Sequence, residues 1–275
     1  MKDTNIAFIG GGNMAASLVG GLIADGCVAQ HIWVSDPDEQ KLAALHERFA
    51  INTTVSNEQA VAQAGVVVLA VKPQLLKTVV QPLTETLQKT SPLVISIAAG
   101  VRERTLSAWL GGKLAVVRAM PNTPALVRSG ATALYANSLV SKEQHSLAES
   151  ILRAVGLILW LEDEADMDAV TALSGSGPAY FFLVMEVLEQ AAARLGLAPE
   201  TARLLALQTA FGAAKMALES ADSSSVLRER VTSKGGTTEQ AIKVLQEGRI
   251  QQLFDAALQA AHARSVELAN LFEQQ

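Results

Sequence analysis

The order of apolar and polar positions divides the chain into two parts with different patterns. In the first part, short runs that are almost entirely apolar alternate with amphipathic stretches. The runs are IAFI (6–9), IWVS (32–35), VVVLAV (66–71), LVISIA (93–98), LAVVRAM (114–120) and LILWLE (157–162). Strands without a polar face, separated by helices, are typical of a parallel sheet that is covered on both sides. The pattern therefore predicts an α/β domain with a mostly parallel sheet.

The pattern changes after about residue 164, where the rest of the chain reads as one helix after another. The segments 180–196 and 202–218 are apolar on most of their circumference, and a small helical domain has little interior in which to bury them. We therefore predict two domains, residues 1–164 and residues 165–275, with a subunit interface on the helices of the second. A membrane anchor is the weaker explanation, because charged residues interrupt both segments and no apolar run approaches the roughly 18 residues of a bilayer span.

Composition limits the classes of partner. The chain has 275 residues, of which 49% are hydrophobic and 18% charged, and these values suit a soluble globular protein with a sizeable core. Its net charge of -5 comes without a block of Lys and Arg, so neither nucleic acid nor an anionic membrane is an expected partner. Cys27 is the single cysteine, which excludes an internal disulfide and fits a small buried side chain in a reducing compartment. The polar N-terminus lacks the features of a signal peptide, so we expect a cytoplasmic protein.

The first strand ends in a glycine-rich turn that opens a helix. The sequence here reads GGGNMA, with Gly10, Gly12 and Ala15 in a G-x-G-x-x-A pattern. Gly10 permits a tight turn, Gly12 lets the backbone approach a pyrophosphate, and Ala15 allows close helix packing. A plain glycine-rich turn would use the same residues, but the position between a strand and a helix favours a dinucleotide site. The stretch assigned to this site is Ile9, Gly10, Gly11, Gly12, Asn13 and Met14.

Polar residues follow the second strand, where the adenine ribose of a dinucleotide is expected. Asp36 could accept a hydrogen bond from the 2′-hydroxyl of NAD, or it could cap a helix that begins at Pro37. Ser35 and Asn57 could donate to a phosphate, and no arginine lies here to bind the 2′-phosphate of NADP. Residue chemistry alone therefore leaves the choice between NADPH and NADH open.

Two further strands end in residues that suit a bound cofactor. The stretch LAVKP (69–73) leads from a strand into a helix, at the edge where open α/β sheets bind ligands, although its lysine could also be a solvated surface residue. The stretch SIAAG (96–100) has side chains small enough for a flat ring to lie against the backbone, although close packing would also favour them. The loop MPNTPALVRSG (120–130) reads as a wall of the site or as an ordinary turn. The residues assigned to the cofactor here are Ala70, Val71, Lys72, Pro73, Ala98, Ala99 and Gly100.

The helical part contains two breaks that are rich in small residues. In LSGSGPAY (173–180), Ser176 can cap a helix whose first turn contains Pro178, and pure capping accounts for it as well as a binding role does. In VTSKGGTT (231–238), glycine N–H groups and hydroxyls stand before another helix, so this break is either a capped turn or a cradle for a carboxylate. A threonine hydroxyl can also meet a ring nitrogen. The candidate cradle consists of Ser233, Gly235, Gly236, Thr237 and Thr238.

Several catalytic chemistries find no support in the sequence. The histidines at 31, 46, 145 and 262 are scattered and lack Cys or carboxylate neighbours at ligand spacing, so we expect no metal site. No Ser-His-Asp arrangement is suggested. An oxidoreductase built from these residues needs a substrate that requires little acid–base help. A protonated imine meets that requirement, because its carbon already accepts hydride.

Taken together, these motifs match a known family. FIGGGNMA, LAVKP, SIAAGV, MPNTP, LSGSGPAY and VTSKGGTTEQAIKVL, in this order and spacing, closely resemble pyrroline-5-carboxylate reductase, the last enzyme of proline synthesis. The resemblance covers essentially the whole chain. It implies a Rossmann-type domain followed by an all-α dimerisation domain that intertwines with a second subunit, with dimers often joining into decamers. It also implies reduction of the C=N bond of 1-pyrroline-5-carboxylate to L-proline by hydride transfer from NAD(P)H, usually NADPH.

The resemblance further implies roles for particular residues. NAD(P)H binds across the cofactor stretches assigned above, and the turn from Ser233 to Thr238 holds the substrate carboxylate. The Thr238 hydroxyl lies near the ring nitrogen as the catalytic group, and Ser176 shapes the pocket near the nicotinamide. Two residues depart from the family pattern: Lys234 stands where many relatives have proline, and Asp36 stands where some NADP-preferring members have a neutral or basic residue.

Two rival functions belong to other classes of protein. A β-hydroxyacid dehydrogenase would share the domain organisation, but it normally uses a lysine on a long central helix, and the segment 180–196 contains none. A non-catalytic regulator would dimerise through its helices and bind NADPH without turnover. The cluster from Ser233 to Thr238 argues against a regulator, because a sensor needs no second anion site facing the nicotinamide.

Overall fold

The chain folds into two compact units. The structure, a computed structural model, describes residues 4–274. The first unit contains residues 4–176 and 261–274, and the second contains residues 177–260. The division therefore falls later than the boundary expected after residue 164, and the end of the chain returns to the first unit.

The first unit is built on one sheet. Its strands are β1 (Ile6–Ile9), β2 (Ile32–Ser35), β3 (Asn52–Thr54), β4 (Val66–Leu69), β5 (Leu93–Ser96), β6 (Val116–Met120), β7 (Gly130–Ala136) and β8 (Gly156–Trp160). Their order is β3-β2-β1-β4-β5-β6-β7-β8, and all neighbours are parallel except β6 and β7. The predicted mostly parallel sheet is confirmed. The chain order reverses between β1 and β4, so the ligand crevice of such a sheet is expected at the carboxyl ends of these two strands.

Helices cover the sheet and make up the whole of the second unit. The first unit contains α1 (Asn13–Ala24), α2 (Glu39–Phe49), α3 (Asn57–Ala62), α4 (Pro73–Val80), α5 (Thr84–Thr90), α6 (Glu103–Trp109), α7 (Lys142–Arg153) and α8 (Asp166–Val170). It also contains 3-10 turns at Ala29–His31, Gln81–Leu83 and Thr123–Val127, and α8 continues into a π-helical turn, Thr171–Gly175. The second unit contains α9 (Gly177–Arg194), α10 (Pro199–Glu219), α11 (Ser224–Arg230) and α12 (Thr237–Glu247). The last helix, α13 (Ile250–Glu273), begins in the second unit and ends in the first.

Apolar layers lie on both faces of the sheet. Phe8 belongs to the layer under α1 and α7, and Val67 belongs to the opposite layer with Leu76 of α4. Phe272 of α13 is buried in this second layer, which is why the end of the last helix belongs to the first unit. Burying a side chain of this size contributes about 1.5–3 kcal/mol. Cys27 is buried as predicted, and burial raises the pKa of its thiol.

Two strands and several strand ends were not predicted. The edge strand β3 consists of Asn52, Thr53 and Thr54, and β7 is rich in alanine, so neither has the continuous run of large apolar side chains that reveals a buried strand. The strands β4 and β5 end at Leu69 and Ser96, two residues earlier than predicted. The residues assigned to the cofactor after these strands therefore lie in loops beyond the strand ends.

The helices of the second unit expose many large apolar side chains. Phe181, Phe182, Leu204 and Phe211 on α9 and α10 are 67%, 63%, 69% and 62% exposed. Monomeric soluble proteins rarely expose large apolar patches. This surface is the one on which the sequence predicts a subunit interface.

The prediction that no apolar segment approaches the length of a bilayer span is wrong on length and composition. In the part of the chain that the structure describes, one helix, Asp166–Arg194, has 29 residues and a most apolar window with a mean hydropathy of 1.2, which meets both criteria. The small residues before Tyr180 predict a break in the sequence, whereas the helix continues through them as a π-turn. Length and composition do not distinguish a bilayer span from a helix that another subunit covers.

An ion-pair cluster fixes the end of α13 to the first unit. The Glu273 carboxylate accepts hydrogen bonds from Arg104 at 2.6 Å and from Arg102 at 2.7 Å. The bond from Arg104 is the main cause that lowers the pKa of the Glu273 carboxyl. The charged form of Glu273 therefore stabilises the folded first unit.

Replacing Glu273 with glutamine is expected to lower the stability of the first unit at neutral pH. Because the folded-state pKa lies below the unfolded value of about 4.3, this contribution is fully present above the unfolded pKa and is lost as the pH falls through the folded pKa. Denaturant unfolding of both proteins at pH 7 and at an acid pH below that unfolded value measures the difference. Glu267→Gln is the control, since Glu267 pairs with an exposed arginine on the same helix and such pairs contribute little. A loss of stability that is equal at both pH values would contradict the electrostatic role of Glu273.

Candidate functional site

The turn after β1 requires glycine at its first position. Gly10 has a φ of +104°, in the region that favours glycine, and its N–H donates to the carbonyl of Ser35 at 2.8 Å. A Cβ added at Gly10 would lie 2.8 Å from the carbonyl oxygen of Ala70. The turn can therefore pass over the end of β4 only because residue 10 has no side chain.

The next residues form the N-terminus of α1 and face open space. Gly12 is the N-cap and makes no side-chain capping bond, so the first N–H groups of α1 have no partner within the helix. A Cβ added at Gly12 would meet no atom within 4 Å, and Gly12 and Asn13 are both exposed, whereas Met14 is half-buried. Free N–H groups at the positive end of a helix suit a pyrophosphate. The residues of this turn thus fit the dinucleotide that the sequence predicted.

Asp36 makes contacts that the sequence did not predict. Its carboxylate accepts from the N–H of Gly11 at 2.8 Å and from the N–H of Asp38 at 3.0 Å. The alternative that Asp36 caps the following helix is wrong, because Asp38 is the N-cap of α2 and its carboxylate accepts from the first turn. Asp36 instead ties the glycine turn to the end of β2. A contact between Asp36 and the ribose stays a prediction.

Ser35 and Asn57 are bonded to each other at the same edge. The Ser35 hydroxyl donates to Asn57 Oδ1 at 2.7 Å, and Ser35 has no exposed surface. Asn57, at the start of α3, is half-buried. The Asn57 amide, rather than the Ser35 hydroxyl, is therefore the group with access to solvent. Lys41, which the sequence analysis did not single out, brings a positive charge to this edge, with its Nζ 3.6 Å from Asp36 Oδ1.

The ends of β4 and β5 lie beside the glycine turn on the same edge of the sheet. This follows from the strand order, in which β4 is next to β1 and β5 is next to β4, all three parallel. The Ile9 side chain is fully buried beneath this edge. Of the other residues assigned to the cofactor, Lys72 is exposed, Ala98 and Gly100 are buried, and the half-buried ones are Ala70, Val71, Pro73 and Ala99.

Charged side chains beside β6 are paired. Arg118 is 8% exposed and donates to Glu164 at 2.5 Å, and Glu164 also accepts from the N–H of Glu103. Burial is the main cause that raises the pKa of the neighbouring Tyr135, and the charge of Glu164 adds to it. Among residues 4–274, no group of three His, Cys, Asp or Glu side chains is arranged to hold a metal ion.

The segment that precedes Ser176 is a π-helical turn. The Ser176 N–H donates to the carbonyl of Thr171 at 2.9 Å, five residues earlier in the chain. Ser176 itself has helical backbone angles, φ −85° and ψ −20°, whereas an N-cap residue is usually extended, so helix capping does not account for it. Single π-turns are frequent at functional sites. The π-turn was not predicted, because residues 171–175 carry no local signature of a π-helix. The loop MPNTP was expected as a wall of the site or an ordinary turn, but the contact of the Asn122 amide with the π-turn was not predicted.

In the second unit, the break between α11 and α12 forms a tight turn. Gly235 has a φ of +75°, and the N–H of Gly236 donates to the carbonyl of Ser233 at 3.0 Å. The N–H of Gly235 donates to the Glu239 carboxylate at 2.7 Å. Both glycine N–H groups thus have acceptors within the turn, unlike the open cradle that the sequence suggested.

The backbone N–H groups that remain free to bind an anion are those at the start of α12. Its N-cap, Gly236, has no side chain, so the N–H groups of Thr237 and Thr238 have no partner within the helix. Thr237 and Ser233 are exposed, and Thr238 is half-buried. These N–H groups, together with the hydroxyls, can bind an anion at the positive end of the helix. The Glu239 carboxylate on the Gly235 N–H is an example of the group that this turn can hold.

Two sequence-family models match the chain. Residues 164–268 match the model described as pyrroline-5-carboxylate reductase dimerisation. Residues 5–100 match the model described as NADP oxidoreductase, coenzyme F420-dependent. The first match covers the helical part and the second covers the region of the glycine turn.

Named relatives are similar over the full length of the chain. A pyrroline-5-carboxylate reductase of Pseudomonas aeruginosa is 55% identical over 269 residues, which cover 98% of each chain. The solved structure of a pyrroline-5-carboxylate reductase from Coxiella burnetii is 53% identical with a TM-score of 0.93, covering 97% of this chain and 98% of that one. Plasmodium falciparum pyrroline carboxylate reductase, solved with NADP bound, is 29% identical with a TM-score of 0.88, covering 98% and 99%. These similarities confirm what the motifs predicted: the chain belongs to the pyrroline-5-carboxylate reductase family.

Proposed function

We propose that this chain reduces the C=N bond of 1-pyrroline-5-carboxylate to L-proline by hydride transfer from NAD(P)H. The observation that carries the proposal is the turn before α12, which combines threonine hydroxyls with uncapped N–H groups and holds the carboxylate of Glu239. A turn of this kind suits a substrate that has a carboxylate close to a ring nitrogen. The 55% identity with a reductase of that name supports the same substrate.

The side chains contribute mainly orientation to this reaction. When bound, the nicotinamide supplies a hydride. The substrate carbon C5 gains that hydride while the electron pair of the C=N bond moves to the protonated nitrogen, which becomes the amine of proline. The Thr238 hydroxyl is the catalytic group beside that nitrogen, and Ser176 shapes the pocket. The substrate carboxylate is held by the turn that consists of Ser233, Gly235, Gly236, Thr237 and Thr238. The donors in this proposal are the hydroxyls and the free N–H groups at the start of α12, and the Gly235 N–H joins them when the Glu239 carboxylate is displaced.

The preferred cofactor in this proposal is NADPH, with NADH as the second choice. Lys41 supports NADPH, because its ammonium group stands at the end of β2, where the 2′-phosphate is expected. The carboxylate of Asp36 supports NADH, but both of its oxygens already accept backbone N–H groups. The proposed contacts with the cofactor come from residues 9–14, 35, 36, 57, 70–73 and 98–100.

The helical part, residues 165–275, is proposed to form a homodimer and to bind the substrate, and residues 1–164 are proposed to bind the dinucleotide. The exposed apolar side chains of α9 and α10, among them Phe181 and Phe211, support the interface. Dimers assembling into decamers, in the cytoplasm, are part of the same proposal. Light scattering coupled to size exclusion measures the number of subunits, and a stable monomer would exclude this interface.

Cofactor oxidation tests the reaction directly. Purified protein is mixed with 1-pyrroline-5-carboxylate and either NADPH or NADH, and the absorbance of the reduced cofactor is followed while proline is quantified. Loss of reduced cofactor with an equal amount of proline formed is the expected result. Cofactor binding without turnover would instead favour a non-catalytic regulator, and the ratio of kcat/KM for the two cofactors decides their order.

Replacing Glu239 with glutamine is expected to lower the KM for 1-pyrroline-5-carboxylate by about two- to fivefold. The Glu239 carboxylate occupies the Gly235 N–H and repels a second carboxylate, whereas the glutamine oxygen can keep the hydrogen bond without the charge. Steady-state kinetics at saturating NADPH measures the change. Glu247→Gln, at the other end of α12, removes the same charge and should leave KM unchanged. A higher KM in the Glu239 variant would mean that this carboxylate holds the turn in its binding shape.

A further inference from the structure

The π-turn before Ser176 contains a carbonyl group that the helix cannot satisfy in the usual way. In an α-helix the carbonyl of Ser174 would accept a hydrogen bond from the N–H of residue 178. Residue 178 is Pro178, which has no N–H. Ser174 is half-buried, and a partly shielded carbonyl without a partner costs free energy, so a donor from outside the helix stabilises the turn.

Asn122 supplies that donor from the loop after β6. Its Nδ2 lies 3.3 Å from the carbonyl oxygen of Ser174 and 3.2 Å from the Ser174 hydroxyl. On the other side of the same amide, Oδ1 accepts from the N–H of Ala131 at 2.9 Å. The side chain therefore joins β7, the end of β6 and the π-turn, and its donor and acceptor are both used.

A second contact joins the same two segments. A Cβ added at Gly175 would lie 2.4 Å from the terminal methyl group of Met120, the last residue of β6. The absence of a side chain at Gly175 thus lets Met120 lie against the π-turn. Met120 and Asn122 together hold the turn at the carboxyl end of β6.

We infer that Asn122 is a positioning residue, which fixes the π-turn through Ser174 and thereby places Ser176. The inference rests on the proposed role of Ser176 in the pocket beside the nicotinamide. We assign Asn122 no contact of its own with substrate or cofactor. Its effect on the reaction passes through the backbone of residues 174–176.

Two variants of Asn122 test the inference. Asn122→Ala removes all three hydrogen bonds of the amide, whereas Asn122→Asp keeps the acceptor for Ala131 and loses the donor to Ser174. Both are expected to lower kcat by about tenfold or more and to leave the Kd for NADPH unchanged, because misplacing a pocket residue slows the reaction without touching the dinucleotide turn. Should the alanine variant fail to fold, the aspartate variant carries the test.

The control is Asn137, an asparagine whose contacts lie at the amino end of β6, whereas Asn122 follows the carboxyl end of this strand. Asn137 accepts from the N–H of Val116 at 3.1 Å and donates to the carbonyl of Leu114 at 3.0 Å, so it joins segments as Asn122 does, but at the amino end of β6. Asn137→Ala should lose stability to a similar degree and keep the kcat of the unmodified enzyme. Equal kcat values in the Asn122 variants and the unmodified enzyme, or an equal loss in the Asn137 variant, would overturn the inference.

Amide hydrogen exchange provides a readout that does not depend on turnover. In the Asn122 variants the N–H of Ser176, which donates to Thr171, should exchange at least about tenfold faster than in the Asn137 variant. Unchanged exchange at Ser176 would also overturn the inference. If the unmodified protein reduced no 1-pyrroline-5-carboxylate, the proposed function would fail, while the exchange rates would still decide whether Asn122 fixes the π-turn.

Discussion

Replacing Gly10 with alanine is expected to weaken NADPH binding at least about tenfold and to lower the stability of the first unit. The new Cβ would lie 2.8 Å from the carbonyl oxygen of Ala70, and a φ of +104° is unfavourable for a residue with a side chain. Strain of this kind costs about 1–3 kcal/mol, and relieving it moves the turn away from the end of β4. Each 1.4 kcal/mol corresponds to about a tenfold change in affinity. Fluorescence titration with NADPH and thermal unfolding measure the two effects.

Two further alanine variants separate cofactor binding from backbone strain. Gly12 has a φ of −72° and open space at its Cβ position, so Gly12→Ala should keep the stability of the unmodified protein and lose NADPH affinity, because its methyl group occupies the space predicted for the pyrophosphate. Gly26 has a φ of +88° and equally open space, but it follows α1 at the end opposite the glycine turn. Gly26→Ala should therefore lose stability and keep NADPH affinity. Normal NADPH binding by the Gly12 variant would place the pyrophosphate elsewhere.

Replacing Thr238 with valine is expected to lower kcat about 100-fold, the lower end of what a positioned proton donor or acceptor contributes. Valine keeps the shape of threonine and removes only the hydroxyl, which is proposed to lie beside the ring nitrogen of the substrate. The Kd for NADPH should stay within about twofold, because Thr238 belongs to the turn that holds the carboxylate and not to the dinucleotide residues. Steady-state kinetics and NADPH titration on the same preparation measure both quantities.

Two neighbouring substitutions serve as controls for Thr238. Thr232 precedes the turn and its hydroxyl donates to the carbonyl of Arg228 at 2.6 Å, so Thr232→Val removes a hydroxyl from the same region without touching the proposed site. This variant should keep its kcat. Thr238→Ser restores the hydroxyl and should recover most of the activity. Equal losses of kcat and NADPH affinity in Thr238→Val would remove Thr238 from the catalytic role.

The parts of the fold that could be predicted are those with a local or periodic signal. The limits predicted for β1 and β2 are those of the structure, because strands buried on both faces are apolar at nearly every position. The glycine turn after β1 could also be predicted from the sequence, since its conformation depends on a few adjacent residues. By contrast, β7 pairs with β6 and β8 although its sequence, GATALYA, has no marked strand preference, so its neighbours in the sheet decided its conformation.

In the candidate functional site, too, single residues could be predicted from the sequence, but their contacts with distant residues could not. The sequence predicted Asp36 as a partner of the ribose or as a helix cap. Its carboxylate instead binds the N–H of Gly11, which is 25 residues away in the chain, and this contact was not predicted. Asn122 and Ser174 are 52 residues apart, and the paired prolines of the loop gave no reason to connect them. The Glu239 carboxylate is only four residues after Gly235, but its hydrogen bond to the Gly235 N–H was not predicted, because the sequence indicates only that a helix begins here.

By itself the sequence determined the α/β and all-α parts of the chain, the family, and the two turns proposed to bind the cofactor and the substrate carboxylate. These features depend on the order of apolar residues and on short glycine-containing motifs, which act over a few residues. Only the tertiary structure decided that the end of α13 returns to the first unit, that Asp36 holds the glycine turn, and that Asn122 supports the π-turn before Ser176. Each of these depends on burial or hydrogen bonding between residues far apart in the chain, and such contacts leave no periodic trace in the sequence.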